Sequence, residues 1–139
     1  MRLLQFIVLL SFSLLLNGCE VFRIGAEPKP VPLKADQNSP FGAVYLFKKE
    51  LDTNNASAAA QILAKPKGER YLAIEKVEMY DEVARIGRLI NNMPITNVSA
   101  SVVSGSEQFL KVEFDYFRIM TFSTVKIGEN WFISGISEW

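Results

Sequence analysis

The chain has 139 residues, with 15 Lys and Arg against 15 Asp and Glu. That balance lacks the basic face a nucleic-acid partner needs and gives no electrostatic hold on anionic lipid. It has no histidine and one cysteine, which removes the commonest general base, the commonest metal ligand and any intramolecular disulfide.

The first element is an apolar run, Leu3 to Leu16, behind Met1 and Arg2. Its fourteen residues would make a helix roughly 21 Å long at ~1.5 Å per residue. A bilayer core asks for about 20 apolar residues, so the run is short for a span and fits the core of a signal peptide. The run ends in "LNGC", which resembles the lipobox of bacterial lipoprotein precursors. Leu16 and Gly18 match the positions three before and one before the family's cysteine, and Cys19 matches the cysteine itself. Asn17 is a less usual occupant of the middle position. The resemblance implies cleavage on the amino side of Cys19 and acylation of its sulfur, with residues 1–18 removed. It also implies a membrane partner, reached through acyl chains on Cys19. Glu20 stands where an aspartate often holds such lipoproteins at the inner membrane. Glutamate is an ambiguous substitute, so the expected location is the cell envelope, at the outer membrane facing the periplasm, with the inner membrane as the alternative. Removing residues 1–18 takes away one basic residue, Arg2, and leaves the mature chain close to neutral.

Residues 19–38 read as a tether. Pro28, Pro30 and Pro32 alternate with other residues, which favours an extended backbone. About 20 residues at ~3.1 Å each would reach roughly 60 Å. The domain is expected over 39–139, and its aromatic content, ten Phe, two Trp and four Tyr, suits a core for one small unit.

Ser39 before Pro40 is a helix-start signal, a capping hydroxyl followed by a proline whose missing N–H costs nothing. The helix that follows places Phe41, Val44, Tyr45 and Leu51 on one face and ends near 52–55. Asn55 can cap a second helix over 56–64, which stops before Pro66 and Gly68. Residues 69–92 read as further helix, with Met79, Val83, Ile86 and Ile90 at helical spacing. Pro94 ends it. The period then becomes two. Strands are expected over 96–103, 109–117, 121–127 and 131–137, joined by short connections that make an antiparallel meander. Helices followed by strands predict an α+β domain, with the helices packed on one face of a curved four-stranded sheet.

That layout, closing in "TVKIGENWFIS", looks like the cone-shaped ketosteroid-isomerase-like superfamily, also described as cystatin-like. Val125, Lys126, Trp131 and Ile133 fall on the pattern of its last hairpin, while Thr124 replaces an aliphatic residue. The resemblance implies a groove between sheet and helices. Candidate lining residues are Tyr45, Tyr80, Tyr116, Arg118 and Trp131, with Tyr116 and Arg118 sharing the inward parity of Phe114.

The sequence offers little chemistry. There is no glycine-rich phosphate loop, nucleophile elbow or calcium loop, so no cofactor or metal is expected. Glu75, Glu78, Asp81 and Glu82 read as a solvated helix surface. Asp115, by its parity, faces solvent. The expected role is a non-catalytic binding module for a small apolar ligand or an envelope protein. A structural subunit of an envelope complex is the alternative, followed by an enzyme using a carboxylate–tyrosine pair.

Overall fold

The structure, a computed structural model, describes residues 34–138. Cys19, the segment before it and most of the tether lie outside the described residues. Four helices precede four strands: α1 Pro40–Asp52, α2 Ala56–Gln61, α3 Ala73–Glu78, α4 Tyr80–Ile90, then β1 Ile95–Ser104, β2 Glu107–Phe114, β3 Arg118–Ile127 and β4 Asn130–Glu138. The strands form one antiparallel sheet in the order β1-β2-β3-β4. This is the expected α+β arrangement. Among the described residues no helix is long and apolar enough to cross a membrane.

Helix α1 starts as its sequence dictates. The Ser39 side chain accepts from the Gly42 N–H at 2.9 Å, and Pro40 opens the first turn. Gly42 lies so close to the preceding turn that a Cβ there would come within 2.7 Å of the Asp36 carbonyl oxygen. Ala43, Val44, Phe47 and Leu51 form the buried face, while Phe41 and Tyr45 stack on each other at its flank, ring centres 6.5 Å apart. Lys48 is also buried, and its ammonium is paired with Asp52 one turn on. The same carboxylate accepts from the Asn92 backbone N–H at 2.9 Å, so Asp52 ties the end of α1 to the end of α4. Asp52→Ala should lower stability by about 1–3 kcal/mol, because it leaves a buried donor unsatisfied. Urea unfolding of the two proteins measures this.

Asn55 caps α2 by accepting from the Ala58 N–H at 3.1 Å. The helix stops at Gln61, three residues before the expected end. Residues 62–64 lie along β4 instead: Ile133 N–H donates to the Ile62 carbonyl at 2.9 Å, and Ala64 N–H to the Ile133 carbonyl at 2.8 Å. This buries Ile62, Leu63 and Ala64 and occupies backbone groups at the β4 edge, which outweighs continuing the helix. The chain then doubles back, and Ala64 bridges to Arg70. Residues 69–72 are therefore extended where a helix was expected. Helix α3 begins at Ala73, where the Glu75 carboxylate accepts from the Leu72 N–H at 2.6 Å. The expected single helix is further divided at Met79, between α3 and α4.

The sheet's inner face follows the period-two pattern. Leu110 lies opposite Phe122, and Val112 opposite Met120; all four are buried. The Phe122 ring meets Phe47 of α1 and Phe114 of β2 edge to face, each with centroids 6.4 Å apart. Thr124 is buried beside them, and its hydroxyl donates to the Gln108 carbonyl at 2.9 Å. By parity Val125 and Phe132 point to the other face. There they form a smaller cluster with Ala64, covered by the Arg70 guanidinium at 5.3 Å from the Phe132 ring.

Strand β2 stops at Phe114, earlier than expected. Asp115 and Tyr116 both take left-handed backbone angles, φ 51° and 64°. Neither is glycine, so each costs about 1–3 kcal/mol of local strain. Hydrogen bonds offset part of it: Asp115 N–H to the Pro94 carbonyl at 2.9 Å and Tyr116 N–H to Thr96 Oγ1 at 3.2 Å.

Candidate functional site

Between α1 and strands β2 and β3 the space is filled by side chains. Phe47, Phe114 and Phe122 are each fully buried, and their edge-to-face contacts run from α1 across β3 to β2. Among the described residues the buried polar and charged side chains are Lys48, Lys76 and Thr124; no carboxylate is buried there. Lys76 donates to the Gln61 side chain at 2.6 Å, which links α3 to the end of α2.

The five residues proposed to line a groove are not brought together. Tyr45 stays on the flank of α1 with Phe41. Tyr80 begins α4, and its hydroxyl lies 3.1 Å from that of Ser57 on α2. Tyr116 is 81% exposed: the left-handed turn breaks the strand before its inward parity can apply. Arg118 begins β3, with Nη1 3.8 Å from the Glu138 carboxylate, while its buried Nε has no hydrogen-bond partner. Trp131 is buried in the core. Its backbone is clamped by Gln37, whose carbonyl accepts from the Trp131 N–H at 2.7 Å and whose side-chain amide donates to the Trp131 carbonyl at 2.9 Å. Trp131 sits opposite Lys126, eight residues along β3 from Arg118, a separation of roughly 26 Å at ~3.3 Å per residue. One small ligand does not span it.

A cleft between helix and sheet does exist, lined by none of these five residues. It lies between α4, β4 and the residue 63–64 segment, and its walls include Leu63, Tyr71, Met79, Val83, Ile86 and Ile133 to Ile136. Its volume is about 160 Å³, below the roughly 300–1,000 Å³ of typical small-molecule sites. Glu82 stands at its rim. The Arg85 guanidinium holds that carboxyl below the ordinary glutamate range, through two hydrogen bonds of 2.8 Å. Glu82 is thus an ionised acceptor rather than a proton donor. Glu75 is similarly held low by the Lys65 ammonium at 2.7 Å and by the Leu72 N–H. These carboxylates do structural work on an exposed surface, and among the described residues none combines with others into a cluster that could hold a metal ion.

Helical spacing already put Met79 on one face with Val83 and Ile86, which wall the cleft with it, but it could not have found Tyr71, because the extended 69–72 segment decides where that side chain points. Exposed apolar side chains were missed too. Leu72 precedes α3 and Ile74 and Val77 lie on it, Val102, Val103 and Phe109 lie on the first hairpin, and Tyr116 with Phe117 lie in the second turn. No family model, curated protein or solved structure matches the chain.

Proposed function

We propose that this chain is a lipid-anchored cell-envelope protein whose folded domain binds another protein and performs no catalysis. Acyl chains on Cys19 would hold it at the membrane, with the tether setting its reach. In this reading the domain keeps a ketosteroid-isomerase-like layout, with the interior of the cone occupied by its own phenylalanines.

One observation carries the choice of a protein over a small apolar ligand. With the phenylalanines packed under α1, the cleft between α4 and β4 holds about 160 Å³, roughly half the lower bound for small-molecule sites, and a larger hollow of about 370 Å³ is bordered by β2, β3, β4 and Pro66 with no helix over it. A cleft of that size suits one apolar side chain presented by a partner. The absence of a buried carboxylate among the described residues and the 81% exposure of Tyr116 argue in the same direction, since a carboxylate–tyrosine enzyme needs both groups within hydrogen-bond reach of one substrate.

Native and denaturing mass spectrometry of the detergent-purified protein test this. The protomer mass is expected to agree between the two conditions. A small apolar ligand retained one per protomer under native conditions, and lost on denaturation, would overturn the choice.

A further inference from the structure

The two edges of the sheet are treated differently. At β4, Gln37 and residues 62–64 hydrogen-bond to Trp131 and Ile133, so that edge is covered over its first half. At β1, among the described residues, no segment pairs with the outer side. Free edges are commonly guarded by charge or proline. Strand β1, "ITNVSASVVS", has ten residues and no charged one, whereas β2, β3 and β4 each carry charge. Its far half is also exposed on both faces, with Val102 70% exposed.

We infer that β1 pairs antiparallel with β1 of a second copy, joining two four-stranded sheets into one of eight. The strand is its own best complement. Irregularities at Thr96 and Val103 bracket a regular run, Asn97–Val102. A two-fold axis through Ala100 sets Val98 against Val102 of the other copy on the inner face. Ser99 then faces Ser101 on the outer face. Directly opposite residues share a face only when their numbers have the same parity, and an axis through Ala100 satisfies this while pairing valine with valine. No charge meets its like across the axis. A partner of different sequence would need its own neutral, alternating strand, while a second copy brings one. The proposal does not depend on acylation of Cys19 or on what the cleft receives.

The full chain in detergent is compared with Ala100→Lys by native mass spectrometry. Ala100 is exposed, so the variant should keep its fold, which circular dichroism checks. The wild type is expected to be a dimer. The variant should be monomeric, with a dissociation constant raised more than about tenfold by two cations facing each other. Ala100→Cys should also give a disulfide-linked dimer on mild oxidation, because directly opposite Cα atoms lie about 4.5–5.5 Å apart. Val98→Cys should not link to itself. A monomeric wild type, a dimer surviving in Ala100→Lys, or cross-linking of Val98→Cys in place of Ala100→Cys would overturn the pairing.

Discussion

Phe122→Ala is expected to cost the domain about 3–5 kcal/mol, against a total stability of about 5–15 kcal/mol for a domain of ordinary size. The Phe122 ring is fully buried and is the common member of both aromatic contacts, to Phe47 of α1 and to Phe114 of β2. Truncating it empties space that three elements border. Strands β2 and β3 are held by continuous pairing from Glu107–Val125 to Phe114–Arg118, so they cannot close in, and the cavity persists. Tyr116→Ala is the informative comparison. With that side chain 81% exposed, its loss should stay within about 0.5 kcal/mol. Guanidinium unfolding of both variants reads the difference. Equal losses would mean that the interior is not organised around Phe122.

The second large effect concerns attachment. Cys19→Ser should abolish incorporation of labelled fatty acid and leave residues 1–18 uncleaved. The variant removes the sulfur that would be acylated, and with it an additive anchor: each buried methylene contributes about 0.8 kcal/mol, and one chain alone binds a bilayer only marginally. Two or three chains on one residue make attachment effectively permanent. Among the described residues no helix is long and apolar enough to cross a membrane. Label retained on the serine variant would place the acyl group elsewhere.

Much of the domain was legible because local and tertiary preferences agree. Ser39 and Pro40 mark a helix start that the structure uses, and Asn55 caps the next. The alternation Leu110, Val112, Phe114 gives the inner face of β2 directly. Failures fall where tertiary pairing overrules local preference. Residues 69–72 have good helix formers, yet the bridge from Ala64 to Arg70 keeps them extended. Asp115 and Tyr116 turn the chain in left-handed conformations without glycine; aspartate tolerates that conformation, but tyrosine does not announce it, and strand parity misplaces Tyr116. Gln37 was read as tether, although it clamps Trp131 across 94 residues of sequence. The size of the cleft could not be read, because it depends on how closely α4 packs beside β4.

The whole functional reading turns on what becomes of one sulfur atom. Intact mass of the mature protein under denaturing conditions measures this directly. A polypeptide that begins at Cys19 and carries the added mass of two or three acyl chains is the predicted result. A chain still bearing residues 1–18, or a Cys19 with a bare thiol, would contradict it.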